Sequence, residues 1–304
     1  KSLAQKTETM LKERQYHSFA GVPPEVHQLP PFISKSDWSK LGDALKKAEQ
    51  PSGDRITGDK WISLRCDGTG FSKLTKHLRR QGVISQGYSE DFGSIMQSCC
   101  LDLMTKFNGA CGYTQSDELT ILVAPASIVR GEQQPHMYSG RLQKLCSLAA
   151  ATVTARFQYE LVAVCHKKGV DPVSILQSLP TFDCRVGQYD TQLEAISLIL
   201  WRGYDCSINA VSDGVLRSGL TGCKQMMKKP TGEKLVWLHS HNLLPLHRHQ
   251  REGTYIVKVK RLQMGKNQKT GDDVSYLRSR IEPVHGNVLR LFKEDKLFPE
   301  DDSL

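Results

Sequence analysis

The chain has no C-x-x-C pair, no long apolar run, no internal repeat and no low-complexity tract. Without paired cysteines there is no zinc ribbon to expect. The cysteines at 66, 99, 100, 111, 146, 165, 184, 206 and 223 are odd in number and scattered. That usage fits reduced thiols in an intracellular compartment, cytoplasmic or mitochondrial, rather than a disulfide framework. Without a long apolar run, a membrane is a poor candidate for a partner. The first residue is Lys1, not Met, and no targeting peptide is visible, so a fragment or a processed form is expected.

What is present is a basic chain with ample core material. Its 304 residues are 39% hydrophobic, enough for one large core or two smaller ones. Lys and Arg number 41 against 32 Asp and Glu, a formal charge of +9. Such an excess suggests a polyanionic partner, nucleic acid before membrane.

"KSLAQKTETMLKERQYHSFAG" (1–21) mixes acids with bases and suits a short helix. The Pro- and Gly-containing stretch 22–53 reads as an extension lying on the domain. "KWISLRC" (60–66) reads as a short buried strand closed by Asp67-Gly68. A helix is expected from about Gly70 and Phe71. Ser89 fits an N-cap, with Glu90 and Asp91 complementing the helix dipole. Phe92, Ile95, Met96, Cys99, Leu103 and Phe107 then recur at helical spacing.

"ACGYTQSDELTILV" reads as two short strands around a tight turn, and 141–158 as a helix with Leu145, Leu148, Thr152 and Phe157 on one face. "FDCRVGQY" (182–189) alternates Phe182, Cys184 and Val186 as a strand does. Thr191 and Glu194 then suit a capping box. The order strand, helix, hairpin, helix, strand, helix predicts an α+β fold. The arrangement expected is a ferredoxin-like βαββαβ core of the kind found in polymerase palms.

In that arrangement the end of the first strand and the hairpin lie side by side, and Asp67 and Asp117 meet at one sheet edge. Two such carboxylates can hold a pair of divalent cations that clamp a triphosphate and stabilise a leaving pyrophosphate. Adjacent strand residues face opposite sides, so Asp117 is assigned as ligand and Glu118 as a supporting catalytic carboxylate. Gly68 lets the backbone approach phosphates and offers its carbonyl as a metal ligand. Alone, an Asp-Gly is usually a turn and an Asp-Glu pair is usually solvated. Their order and placement together carry the reading.

With those residues in view, the sequence resembles the histidine-tRNA guanylyltransferases and their relatives, which are 3′–5′ RNA polymerases. The resemblance rests on "RCDGTGF" (65–71), "GYTQSDE" (112–118), "GRLQKLCS" (140–147), "FDCRV" (182–186) and "LWRGYDCSIN" (200–209). It implies metal binding by Asp67, the Gly68 carbonyl and Asp117, with Mg²⁺ as the ion and ATP, GTP and other nucleoside triphosphates as substrates. It also implies nucleotide contacts from Gly68, Thr69, Gly70, Phe71, Ser116, Arg141 and Lys144. A Lys one turn after an Arg agrees with the last pair, although a solvated helix face would look the same.

The departures are specific. Ser207-Ile208-Asn209-Ala210 stands where the family's true guanylyltransferases carry His-Ile-Asn-Asn, Thr69 stands where an Arg is common, and a Lys-Pro-Asn-Asp segment is degraded near Gln86 to Ser89. This pattern is more similar to the guanylyltransferase-like branch, which repairs or edits tRNA 5′ ends by templated 3′–5′ addition. The alternatives are guanylate addition to histidine tRNA, a catalytically inactive tRNA-binding protein, and a cyclase-type palm acting on free nucleotides.

From Lys224 to Arg261 the chain is strongly basic, with Lys228, Lys229, Lys234, Arg248 and Arg251 among its cations and Trp237 and Tyr255 interleaved. Lys228, Lys229, Arg248 and Arg251 are the expected RNA contacts. His239, His241, His247 and His249 form two H-x-H pairs, but no Cys or acid completes a zinc pattern, and packing or RNA contact is expected instead. Three regions are therefore expected: an N-terminal extension (1–53), a palm-like catalytic domain (54–210) and a basic, tRNA-facing C-terminal region (211–304). By family analogy the chain would form a homotetramer or homodimer.

Overall fold

The computed structural model describes residues 3, 5, 7, 8, 22, 35–267, 269–286, 291 and 292. Most of the helix expected over 1–21 and the acidic end of the chain lie outside them. In chain order the helices are α1 (Lys35–Ala48), α2 (Phe71–Arg80), α3 (Glu90–Lys106), α4 (Leu142–Lys168), α5 (Pro172–Leu176), α6 (Gln192–Arg217), α7 (Cys223–Met226), α8 (Thr231–Ser240) and α9 (Arg248–Glu252). The strands are β1 (Trp61–Gly68), β2 (Cys111–Gln115), β3 (Glu118–Val123), β4 (Ile128–Val129), β5 (Glu132–Gln133), β6 (Phe182–Tyr189), β7 (Thr254–Lys266) and β8 (Asp273–Val284).

Six strands form one sheet in the order β6-β1-β3-β2-β7-β8, every neighbouring pair antiparallel. The strand alternation decides which layer each residue meets. Ile62, Leu64 and Cys66 of β1, Leu119 and Ile121 of β3 and Phe182 and Val186 of β6 pack with α2, α3 and α4. Cys111, Tyr113, Leu122, Tyr189 and Tyr255 face the other way, against Leu41 and Leu45 of α1 and the apolar stripe of α6. The sheet is thus covered on both sides, and polar residues inside it need partners. A smaller cluster joins Val211 and Val215 of α6 to Leu235 and Leu238 of α8.

Local chemistry explains the helix ends. The Ser89 hydroxyl accepts the Phe92 N–H at 3.3 Å and caps α3, with Glu90 and Asp91 in its first turn. The Thr191 hydroxyl accepts the Glu194 N–H, while the Glu194 carboxylate reaches back to the N–H of Asp190, one residue earlier than a standard capping box. Helix α4 runs ten residues beyond its expected end at 158, to Lys168. Leu145, Ala149, Val153, Phe157, Leu161 and Cys165 form an unbroken buried row at four-residue spacing, and the left-handed Gly169 stops it. Within the region expected to face tRNA, residues 262–266 and 273–284 form the outer part of a long β7–β8 hairpin.

Phe71, Phe92, Phe157 and Phe182 tie α2, α3, α4 and β6 together, with Phe157 5.0 Å from Phe71 and 5.4 Å from Phe182 between ring centroids. Phe157→Ala should lower stability by about 3–5 kcal/mol. Urea titration is the measurement, with the midpoint falling and the slope unchanged.

Candidate active site

Strand β1 lies between β3 and β6, and its register sets Asp67 opposite Glu118 on one side and opposite Asp183 on the other. Directly opposed residues of antiparallel strands share a face, so these carboxylates form a row across the sheet end. The next such row contains Arg185, Arg65 and Thr120. Asp117 joins the acidic row from the two-residue turn between β2 and β3, and its carbonyl accepts the Gly68 N–H at 3.1 Å. Asp67 and Asp117 therefore meet at one sheet edge, as the sequence predicts.

The electrostatics separate these acids. Burial, then the charges of Glu118, Asp117 and Asp183, push the Asp67 carboxyl above the usual range. Asp117 is also raised, mainly by burial, although its own N–H and the Ser116 hydroxyl oppose the shift. The Ser116 hydroxyl donates to the Asp117 carboxylate at 3.0 Å, and Ser116 adopts a positive φ of 47° to form the turn. Neither Asp67 nor Asp117 forms a salt bridge among the described residues.

Glu118 is different. Its Oε1 accepts from Arg202 Nε at 2.6 Å and its Oε2 from Arg65 at 3.2 Å, and 8% of its side chain is exposed. Arg65 also holds Glu49 through two bonds of 2.6 Å, and Arg202 reaches Asp205 at 3.1 Å. Both oxygens of Glu118, expected to support catalysis, thus accept from guanidinium groups, which ties the start of β3 to β1 and α6. Sequence reading missed this network and Asp183 alike. The partners lie far apart in the chain, and only the strand register brings them together.

The remaining predicted residues divide. Gly68, Thr69 and Gly70 lead from β1 into α2, whose first turn has no side-chain cap. A Cβ on Gly68 would lie 2.4 Å from the Phe71 ring, so this position requires glycine. Phe71 itself is a core residue, 2% exposed, and its ring is unavailable to a nucleotide. Arg141 and Lys144 are exposed at the start of α4, where the Arg141 backbone makes a β-bridge to Arg55.

In the C-terminal region Lys228 and Lys229 are exposed beside α8, Lys229 pairing with Glu233 at 3.3 Å. Arg248 and Arg251 of α9 flank Glu252 at 3.9 and 3.0 Å. Two residues read with this basic group are not available to a ligand. Lys234 is buried and donates to Ser212, and Tyr255 is buried against Tyr113. His249 is buried and bonded to Thr254, its pKa pushed down to about 4 by burial, and His247 stacks on Tyr88. Among the described residues no three His, Cys, Asp or Glu side chains are placed to hold a metal ion.

A carboxyl whose pKa is raised by folding contributes stability below about pH 4, lost as pH rises through its folded value. Asp67→Asn should therefore raise the thermal midpoint at neutral pH by roughly 2–4 °C, about 1 kcal/mol at this size. Glu118→Ala should act oppositely, costing about 3–5 kcal/mol by stranding two buried guanidinium groups. Calorimetry of both variants across pH 4 to 8 checks the pair of signs, the benefit of Asp67→Asn vanishing at the acid end.

Residues 42–190 match the family model described as tRNAHis guanylyltransferase. An uncharacterized protein of Acanthamoeba polyphaga mimivirus is 26% identical over 182 residues, 56% of this chain and 60% of that protein. The tRNA(His) guanylyltransferase of Debaryomyces hansenii is 26% identical over 170 residues, 54% of this chain and 58% of its own. The chain thus spans about three-fifths of the length of these curated relatives. A bacterial tRNA(HIS) guanylyltransferase (Thg1)-like protein, solved in complex with ATP, shares the fold with a TM-score of 0.62 at 21% identity, over 84% of this chain and 96% of that one. Together with the motifs around Asp67 and Asp117, these matches make residues 42–190 similar to the tRNAHis guanylyltransferase family.

Proposed function

We propose that this chain is a nucleotidyltransferase that extends the 5′ end of tRNA in the 3′–5′ direction, choosing each nucleotide by pairing with the opposite strand. The observation that carries the reading is the meeting of Asp67 and Asp117 beside Gly68 and the uncapped start of α2, at the end of an antiparallel sheet. The strand order β6-β1-β3-β2, with helices between, supports a palm-like core.

The donor set fits Mg²⁺. Asp67, Asp117 and the Gly68 carbonyl offer oxygen alone, and burial, the first cause of the raised pKa of both carboxyls, leaves them charges that a cation would stabilise. No all-protein cage is present among the described residues, which suits an ion that is shared with substrate phosphates and water. When bound, the metal supplies charge neutralisation at the phosphates and the leaving group.

The chain's own residues would bind and orient. The uncapped N–H groups of α2 offer donors to a phosphate, and the glycine at 68 removes the side chain that would block its approach. The Arg65–Glu118–Arg202 network holds the sheet edge in register. In the reaction, the 3′-hydroxyl oxygen of the incoming nucleotide bonds to the activated 5′ phosphorus, the bond to the leaving pyrophosphate or AMP breaks, and the hydroxyl proton passes to solvent. A 5′-monophosphate would first be activated as an adenylate from ATP, and a 5′-triphosphate would skip that step. No protein nucleophile is needed, and positioning would account for much of the rate.

Ser207 favours templated repair over guanylate addition to histidine tRNA. It replaces the family histidine, and its buried hydroxyl donates to the Gly203 carbonyl at 3.1 Å within α6. A tRNA with a 5′-triphosphate and lacking its first nucleotide should accept only the complementary nucleotide, and Asp117→Ala should lower the rate by at least about 10³-fold, the scale of losing a charge-stabilising group. Single-turnover assays with each nucleoside triphosphate separately measure this. Guanylate addition to full-length histidine tRNA alone would overturn the templated reading. Tight tRNA binding with no addition to either RNA would identify a binding protein.

A further inference from the structure

Only the start of β7 belongs to the covered part of the sheet. Thr254 to Val257 pair with β2 and are buried, whereas from Lys258 onward β8 is the strand's one neighbour among the described residues. The β7–β8 ribbon therefore extends beyond the end of β2 for roughly 30 Å.

Its two faces differ. Alternation and register place Arg261 directly opposite Arg278, Gln263 opposite Tyr276 and Gly265 opposite Val274 on one face, with Arg280 beside them. Leu262, Met264 and Leu277 share the other face. Directly opposed like charges disfavour a sheet. Glu282 takes up Arg261 at 2.7 Å, but Arg278 and Arg280 form no ion pair within 4 Å among the described residues. Tyr276 has a prepared seat. A Cβ on Gly265 would lie 2.8 Å from its ring, so the glycine lets the ring rest against the neighbouring strand. The Tyr276 hydroxyl donates to Gln263 at 3.3 Å, and 45% of the residue stays exposed.

Guanidinium groups left without anions, next to a seated and exposed aromatic ring, match the chemistry of phosphates carrying unstacked bases. We infer that the β7–β8 ribbon is an RNA-binding arm, with Arg278 and Arg280 on backbone phosphates and Tyr276 against a base. This inference rests on the proposed action on tRNA and adds a surface outside the carboxylate site. The charge complementarity selects RNA over a second copy of this strongly basic chain.

The test measures binding of the full chain to a 5′-truncated tRNA transcript by fluorescence anisotropy across a salt series. Arg278→Gln with Arg280→Gln should weaken binding about tenfold and make the slope of log affinity against log salt shallower by roughly 1–2, one for each phosphate no longer neutralised. Tyr276→Ala should weaken binding while leaving that slope unchanged, and ATP affinity should be unchanged in both variants. Wild-type binding with the same slope in the arginine variant would overturn the arm and leave the proposed reaction standing. Wild-type chain that binds no tRNA would overturn both. If Leu262→Ser with Leu277→Ser alone abolished binding and lowered the mass in sedimentation, a second copy would occupy the ribbon and the inference would fail.

Discussion

Glu118 lies between two guanidinium groups at the end of a covered sheet, and the geometry of the site depends on that placement. Arg65 comes from β1 and Arg202 from α6, so one carboxylate fixes the edge of β3 to both the neighbouring strand and the overlying helix. Glu49, just beyond α1, and Asp205 complete the series, with three carboxylates against two guanidinium groups. A buried network of this kind adds little net stability compared with a well-packed apolar one, but breaking it is costly. Its effect is to set which strand residue faces which helix.

With Glu118 committed, Asp67 and Asp117 form no ion pair among the described residues. The same β1–β3 register that pairs Glu118 with Arg65 places Asp67 opposite Glu118, so the anchored charge also raises the cost of ionising its neighbour. One register thus produces a neutralised carboxylate and, beside it, an electrostatically unsatisfied pair. The pair sits next to a helix start and a glycine with no room for a side chain, where a cation and phosphates together would relieve the charge. The strain of unmatched charge in the free protein is the counterpart of affinity for the proposed ligands.

Much of this was legible in the sequence because it depends on local chemistry. Ser89 and Thr191 announce their helices as caps, the alternation in "FDCRV" marks β6, and Asp67-Gly68 at a strand end followed by Asp117 in a turn marks the edge. What depends on distant partners was not. Arg65 and Arg202 look like ordinary surface cations until their shared acid is found. The far end of α4 was hidden because Glu160, His166, Lys167 and Lys168 surround its buried row, and the β7–β8 ribbon because its apolar residues alternate with Lys and Arg. Such a two-sided, exposed ribbon carries no inside and outside for a sequence pattern to report.

Electron paramagnetic resonance of Mn²⁺ in the presence of a nucleoside triphosphate distinguishes a metal-holding Asp67–Asp117 pair from an anchoring Glu118. Wild-type chain and Glu118→Gln should bind the ion with similar affinity, while Asp67→Asn and Asp117→Asn should each lose it. Loss of the ion in Glu118→Gln, with retention in Asp67→Asn, would make Glu118 the ligand instead.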